Sequence, residues 1–317
     1  MEQAAIGEAL GLSRIWLGML QLAQMSVEET EAAELIALSL SLGINTFDCA
    51  REYGGHSILA KVMEDSEVLG ARKIVIVDKS RARSYEDIET AVAESLVELN
   101  QEQIDIYMLH DVRGKEDFEL RAGAWKYLLE AREMGLVHAV GISTHTVEGV
   151  KLAAEVDGLD IVQAPFNEAG IGILDGDTGE MERAFELAKV RGKMTCAFKV
   201  FGGGALFRRW KEALRFVLKH RCVDFVCIGA TTIAEVKAIV TLLNQPEANL
   251  FVGSGLRQQV MIADWCIECG MCIQACPSGA LAFDGETLWV DESKCTLCSA
   301  CVAACLEEAI FIVHLEQ

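Results

Sequence analysis

Eight of the twelve cysteines in this 317-residue chain fall into two runs near its C-terminal end. Both runs follow the pattern C-x2-C-x2-C-x3-C, with cysteines at 266, 269, 272 and 276 and again at 295, 298, 301 and 305. Closely spaced thiolates are ligands for zinc or for iron–sulfur clusters. Zinc sites usually pair two C-x2-C units and have no role for a third and fourth cysteine at these positions, so iron–sulfur binding explains the pattern better.

The repeated run resembles that of bacterial two-cluster ferredoxins, in which the fourth cysteine of each run binds the other cluster. This resemblance implies two [4Fe-4S] clusters. One set of ligands would be Cys266, Cys269, Cys272 and Cys305, and the other Cys295, Cys298, Cys301 and Cys276. Trp265 precedes the first ligand, where we expect it to pack or to cover a cluster.

Residues 14 to 243 alternate short apolar segments with longer segments of helical period, which is typical of βα units on a parallel sheet. The predicted strands are 14–18, 44–48, 73–78, 104–109, 137–143, 159–164, 194–199 and 223–229. Eight such units fit a closed (β/α)8 TIM barrel, and no glycine fingerprint follows the first strand as an open dinucleotide-binding sheet requires. We predict this barrel in residues 1–255, with a linker at 244–255, and a small α+β ferredoxin-like domain in 256–317.

Catalytic groups of such barrels follow the C-terminal ends of the strands. Asp48, Lys79 and His110 hold such positions, and Tyr53 lies in the loop after Asp48. Together with the segments GLSRIWLGMLQL, FDCAREYGGHSILAKVM, IVDKS and IYMLHD, these four residues resemble the aldo-keto reductase family over about residues 10–243. The barrel with a ferredoxin-like extension looks like a known subgroup of predicted oxidoreductases in that family.

The four residue types suit carbonyl reduction. The developing alkoxide needs a proton, and Tyr53 is the expected general acid/base. The ammonium of Lys79 is expected to lower the pKa of this phenol, Asp48 to hold Lys79, and His110 to polarise the carbonyl oxygen. Each residue alone is more often structural, as a helix cap, a surface charge or a packing residue. Only their joint placement favours an active site.

The family resemblance also implies a nicotinamide cofactor, NADP or NAD. The predicted contacts are Phe198 against the nicotinamide ring, Ser143, Thr144 and Gln163 at its carboxamide, Gly202, Gly203 and Gly204 at the pyrophosphate, and Thr231 and Thr232 in the adenosine segment. Glu235 stands where an arginine commonly binds the 2′-phosphate. An acidic side chain there repels that phosphate, which makes NADP less favoured without excluding it.

Charge and hydropathy limit the partners. The formal net charge of −20 repels phosphate backbones and anionic lipids, so neither nucleic acid nor a membrane is an expected partner. The longest segment without a charged residue has fifteen residues, too few to span a bilayer. The N-terminal residues lack the pattern of a signal peptide, and a chain rich in reduced cysteines is typical of the cytoplasm.

Three functions remain open. The chain is predicted to be an oxidoreductase that interconverts a small carbonyl compound and its alcohol. The clusters would relay electrons, and a redox partner protein is a further expected partner. Alternatively, it is an iron–sulfur electron-transfer protein whose barrel is a docking scaffold. A third alternative is a barrel enzyme that uses the four polar residues without a nicotinamide cofactor.

Overall fold

The computed structural model describes residues 7, 9–24, 29–65, 72–245, 247–248, 257–285, 287–295, 297, 300–307 and 309–315. Eight parallel strands close into a barrel in which each strand pairs with its neighbours in sequence and the first pairs with the eighth. They are β1 (Ile15–Gly18), β2 (Thr46–Asp48), β3 (Val75–Ser80), β4 (Ile104–Leu109), β5 (Val137–Ser143), β6 (Ile161–Pro165), β7 (Met194–Phe198) and β8 (Phe225–Gly229). The predicted TIM barrel is confirmed.

Helices of the described residues surround the barrel. They are α1 (Leu20–Gln24), α2 (Glu29–Ser41), α3 (His56–Glu64), α4 (Tyr85–Glu98), α5 (Lys115–Leu120), α6 (Ala122–Glu133), α7 (Val147–Glu155), α8 (Thr178–Val190), α9 (Trp210–Lys219) and α10 (Ile233–Asn244). Ser84 caps the start of α4, and capping boxes begin α8 at Asp177 and α10 at Thr232. These side chains accept hydrogen bonds from amide groups that the first turn leaves unpaired. Within the described part of the chain, no helix has the length and apolar character needed to cross a bilayer.

The strand bounds differ from the predicted ones by a few residues, and two of these differences lie near the site. β3 extends to Ser80, so Lys79 lies inside the strand rather than after it. β2 begins at Thr46 rather than at Ile44, because the amide of Ile44 donates to the carbonyl of Ser39 in α2 and is not available to a neighbouring strand.

The C-terminal domain is a small α+β unit, as predicted. β9 (Arg257–Ile262) pairs antiparallel with β12 (Ile310–Leu315), and β10 (Leu281–Phe283) forms a hairpin with β11 (Leu288–Val290). Two short helices, α11 (Met271–Ala275) and α12 (Ala300–Ala304), each carry one buried cysteine. The predicted linker lies mostly outside the described residues.

The C-terminal domain lies on the mouth of the barrel, where the strands end. Strand β12 packs against a turn at Gly202–Gly204 that follows β7, with Ile312 directly over Gly204. Leu20, just after β1, packs with Phe311 of β12. The guanidinium of Arg113 lies 3.7 Å from the carboxylate of Glu307. The domain that carries the cysteines is therefore adjacent to the residues that follow the barrel strands.

Candidate functional site

Asp48 and Lys79 form a buried ion pair at the ends of β2 and β3. The Nζ of Lys79 lies 2.9 Å from Asp48 Oδ2 and also donates to the carbonyl oxygen of Cys49 at 2.6 Å. Burial by itself lowers the pKa of Lys79, but Asp48 and the neighbouring phenol of Tyr53 raise it above its ordinary value. Lys79 is therefore a permanent cation held beneath the barrel mouth.

Tyr53 ends a short 3-10 turn, Arg51–Tyr53, that follows β2. Its hydroxyl lies 3.3 Å from Nε2 of His110, and the ammonium of Lys79 lies 5.2 Å from the centre of its ring. Burial raises the pKa of Tyr53, Asp48 raises it further, and Lys79 opposes both without cancelling them. The expectation that Lys79 brings this pKa below its ordinary value is thus wrong in sign, because burial of the phenol outweighs the nearby cation.

His110 follows β4, and its main-chain carbonyl accepts a hydrogen bond of 2.7 Å from Arg121. Burial lowers the pKa of His110, and Lys79 lowers it further, against the opposing effect of Glu52. The carboxylate of Glu52 lies 3.7 Å from His110 Nδ1, which is longer than a hydrogen bond. The imidazole is therefore neutral near pH 7, beside a protonated phenol.

A cavity of about 240 Å³ lies between the barrel mouth and the C-terminal domain. Asp48, Tyr53, Lys79 and His110 all line it, so the structure brings the four predicted residues to one site. Aromatic side chains form much of the remaining wall: Phe198, Phe201, Phe207, Trp210, Trp265 and Phe311. The last two belong to the C-terminal domain. The site is thus built from both domains.

Trp265 closes one side of this cavity. Its ring centre lies 6.3 Å from that of Tyr53, with the two planes inclined by 31°. The indole N–H donates to the carbonyl oxygen of Glu307 at 3.2 Å, and the ring contacts Phe311 edge to face. The next residue in the chain is Cys266. Trp265 therefore joins the cysteine domain to the barrel site.

Three predicted ligands of one cluster lie close together. Burial raises the pKa of Cys272, and the nearby Cys305 and Cys266 raise it further. The pKa of Cys305 is likewise raised by burial and by Cys266, whereas the positive charge of Lys199 in the barrel lowers it. Cys269, the fourth predicted member of this set, is exposed. The cysteine from the second run thus lies beside those of the first, as the ferredoxin pattern implies.

The other predicted set is described in part. Cys276 packs in the same apolar cluster as the buried Cys301 of α12, and Cys295 is half-buried. Cys298 lies outside the described residues. The last cysteine of each run accepts an equivalent backbone hydrogen bond. The amide of Ala280 donates to Cys276 Sγ at 3.3 Å, and the amide of the residue four positions after Cys305 donates to Cys305 Sγ at 3.2 Å.

These donors suit the predicted clusters. Sulfur ligands, N–H···S hydrogen bonds and an apolar surrounding are the features that hold and tune iron–sulfur clusters. Among the described residues, no three His, Cys, Asp or Glu side chains surround one point as the ligands of a single metal ion do. Cysteines that enclose a four-iron cluster need no such common point.

The comparisons with known proteins agree with this geometry. A model of the Aldo/keto reductase family matches residues 14–212. The chain belongs to the aldo/keto reductase family. A model of the 4Fe-4S dicluster domain matches residues 265–309, so this member carries an iron–sulfur domain after its barrel.

Relatives resemble one domain or the other. Aldo-keto reductase YhdN of Bacillus subtilis is 27% identical over 186 residues, which are 53% of this chain and 54% of that protein. The polyferredoxin-like subunit of an aliphatic sulfonate oxidoreductase of Pyrococcus furiosus is 38% identical over 64 residues, 19% of this chain and 37% of the subunit. The chain thus spans about half or less of these curated relatives. The holo form of aldo-keto reductase AKR11C1 of Bacillus halodurans shares the fold, with a TM-score of 0.62 and 23% identity over 76% of this chain and 89% of that one.

The family implies a nicotinamide cofactor, and the predicted ring contacts are present only in part. Phe198, Ser143 and Gln163 line the cavity. Gln163 donates to Asp48 Oδ1 at 3.1 Å, so its amide also supports the ion pair. Thr144 is fully buried outside the cavity lining, where its hydroxyl pairs with that of the residue capping α7.

The glycine turn is partly covered by the C-terminal domain. The amides of Gly202 and Gly204 donate within their own turn, to Lys199 and Phe201. A Cβ on Gly204 would overlap the carbonyl oxygen of Ile312, so strand β12 covers this surface. The amides of Gly202 and Gly204 are therefore engaged within the turn, although Gly203 and Gly204 also line the cavity.

The residues predicted to contact the adenosine also hydrogen-bond with one another. Thr232 caps α10, and the carboxylate of Glu235 accepts from the amides of Thr231 and Thr232 at 2.9 and 3.3 Å. Burial raises the pKa of Glu235. Thr231 and Glu235 nevertheless line the same cavity as Phe198, so predicted contacts for both ends of the dinucleotide border one space. The volume of that space, about 240 Å³ with the C-terminal domain in place, is smaller than that of usual ligand pockets, roughly 300–1,000 Å³.

Sequence reasoning missed two lining residues. Cys227, inside β8, lines the cavity beside Asp48. Trp265 was expected to pack or to cover a cluster, and only its position next to Cys266 indicated a functional role. Cys49 is fully buried and contributes its carbonyl oxygen to Lys79.

Proposed function

We propose that this aldo/keto reductase family member is an iron–sulfur oxidoreductase that interconverts a small carbonyl compound and its alcohol at the barrel mouth. The observation that carries the proposal is the distance of 3.3 Å between the Tyr53 hydroxyl and His110 Nε2, with both groups facing a cavity between the two domains. A carbonyl oxygen placed between them meets a proton donor and a polarising group at once.

Tyr53 is the proposed general acid. A phenol whose pKa is raised stays protonated and donates its proton only when negative charge develops on the substrate oxygen. Lys79 then stabilises the phenolate, and Asp48 keeps Lys79 in place. His110, neutral and carrying its proton on Nε2, hydrogen-bonds the same oxygen. In the reverse direction Tyr53 receives the proton.

The C-terminal domain is proposed to hold the two clusters through the cysteine sets assigned above: Cys266, Cys269, Cys272 and Cys305, and Cys295, Cys298, Cys301 and Cys276. When bound, such clusters supply single electrons. The domain carries two basic and nine acidic residues from 256 to 317, so a redox partner protein would present a basic surface. Reduced thiolates of this kind require a reducing compartment, which supports a cytoplasmic protein.

The test uses the full chain with both clusters assembled without oxygen. Small aldehydes, ketones and dicarbonyl compounds are offered with each of two electron sources, reduced clusters and NAD(P)H, and products are identified by chromatography. We expect an alcohol product from at least one source. Absence of any product from both sources, with the clusters still accepting and releasing electrons, would favour the electron-transfer protein instead.

A further inference from the structure

We propose that electrons enter the barrel cavity from the C-terminal domain through Trp265, in place of a nicotinamide dinucleotide, and that the substrate is a conjugated dicarbonyl such as a quinone or an α-diketone. This inference deepens the proposed function and rests on it. It combines three observations: the covered glycine turn, the position of Trp265, and the chemistry of single electrons.

The first observation is steric. Val302 of helix α12 lies over Gly203, and Ile312 of strand β12 lies over Gly204. A dinucleotide bound along the whole turn would have to displace this strand. The C-terminal domain therefore occupies part of the surface at which the family resemblance places the pyrophosphate, and Gly203 and Gly204 line the remaining cavity of about 240 Å³.

The second observation is the continuous path from the cysteines to the substrate site. Cys266 lies near Cys272 and Cys305. It directly follows Trp265 in the chain, so one peptide bond joins the two residues. The indole is fixed by its hydrogen bond to Glu307 and lies against the ring of Tyr53. This aromatic ring therefore lies between the backbone of the first cysteine run and the reacting phenol.

The third observation is chemical. A nicotinamide delivers a hydride to carbon, whereas clusters deliver electrons one at a time. A conjugated dicarbonyl accepts two electrons and two protons: both C=O groups become C–OH, the π bond moves between them, and no hydride is needed. The clusters held by the cysteine sets would supply the two electrons, Tyr53 gives one proton and water gives the other. A low-potential one-electron donor restores the electrons.

The cavity suits such a substrate. Phe198, Phe201 and Phe207 of the barrel line the same cavity as Trp265 and Phe311 of the C-terminal domain. Flat conjugated molecules stack on aromatic rings at low cost in conformational entropy. An isolated ketone accepts a single electron far less readily, because the added electron is confined to one carbonyl group. A conjugated dicarbonyl therefore suits both the transfer of single electrons and the aromatic lining of the cavity.

The experiment uses the full chain with both clusters, reduced by dithionite and then freed of it without oxygen. The protein is mixed with phenylpropanedione, an α-diketone, or with benzylacetone, an isolated ketone of similar size, and no nucleotide is added. We expect the visible absorbance of the oxidised clusters to return with the diketone, with one hydroxyketone formed for every two electrons. Benzylacetone should leave the clusters reduced.

Variants test the path. Trp265→Leu should slow the return of absorbance about tenfold or more, and Trp265→Phe should restore most of the rate. Trp289→Leu, which removes an exposed tryptophan of β11 outside the cavity lining, is the matched control and should leave the rate unchanged. Electron paramagnetic resonance of the reduced clusters should be the same in all variants, which separates a role in electron transfer from damage to a cluster.

Two results would overturn the inference. One is an unchanged rate in Trp265→Leu. The other is stoichiometric binding of NADPH or NADH to the holo-protein, with deuterium passing from labelled nicotinamide to the product carbon. Carbonyl reduction by NAD(P)H alone would defeat this inference and leave the proposed function standing. No carbonyl reduction from either electron source would defeat both.

Discussion

The indole of Trp265 and the phenol of Tyr53 lie 6.3 Å apart, centre to centre, although one belongs to the cysteine domain and the other to the barrel. The contact places the residue before a predicted cluster ligand beside the proposed proton donor. In the mechanism we propose, electron delivery and proton delivery meet at this one cavity.

The exchange of ligands between the two cysteine runs predicts the effect of removing Cys305. Cys305→Ala should impair the cluster held by Cys266, Cys269 and Cys272 and leave the other intact, so iron content should fall from about eight to roughly four per chain. Chemical iron analysis and Mössbauer spectroscopy measure this. Cys222→Ala, at a buried cysteine of the barrel, is the control. Loss of signals from the second cluster instead would mean that each run binds its own cluster.

The buried ion pair predicts a large stability difference between two carboxylate-to-amide changes. Asp48→Asn leaves the ammonium of Lys79 buried without its counter-charge, and the free energy of unfolding of the barrel should fall by about 3–5 kcal/mol. Glu119→Gln removes an exposed i,i+4 partner of Lys115 and should cost less than about 1 kcal/mol. Urea unfolding followed by circular dichroism compares them. Equal small losses would show that the pair adds little to the fold.

The pKa directions predict a broad pH plateau for carbonyl reduction. The pKa of His110 lies below its ordinary 6.5 and that of Tyr53 above its ordinary 10.0. Neither group changes protonation between these values, so the single-turnover rate should be flat across that range and fall outside it. Stopped-flow rates at a series of pH values measure this. An inflection between pH 7 and 9 that Tyr53→Phe removes would show that the effect of Lys79 on the pKa of the phenol outweighs that of burial.

The contacts of His56 with two carboxylates predict that the stability of the protein depends on pH. Its ring bridges Asp78 at 3.1 Å and Glu98 at 2.8 Å, and although burial alone lowers its pKa, these carboxylates raise it above 6.5. Protonation is then favoured in the folded state, so the stabilisation is complete below pH 6.5 and disappears as the pH rises through the folded-state pKa. His56→Gln should therefore destabilise the protein more at pH 6 than at pH 9. Equal losses of unfolding free energy at both pH values would contradict the assignment.

Much of the site was predictable because of the barrel's regularity. Asp48, Lys79 and His110 lie at or just after the C-terminal ends of successive strands, and parallel strands in a closed barrel bring these ends together whatever the loops do. The spacing of the cysteines similarly predicted that Cys305 lies near the first run, since the exchange of ligands is a property of the repeated pattern.

Other features depend on contacts that no local pattern contains. The position of the C-terminal domain over the mouth, and with it the contact between Trp265 and Tyr53, follows from the packing of β12 on Gly204. The sign of the pKa shift of Tyr53 likewise depends on how far the phenol is buried, which residue types and spacing do not specify. For the same reason the glycine turn resembled a phosphate site in sequence although protein covers it.

The role of Tyr53 is tested most directly by Tyr53→Phe in the full chain with both clusters. The phenylalanine keeps the ring that contacts Trp265 and removes only the hydroxyl, so cluster content and reduction should match the original protein. Steady-state carbonyl reduction should fall by about 10²–10⁴-fold, the usual contribution of a positioned acid. Undiminished carbonyl reduction by Tyr53→Phe would contradict the account.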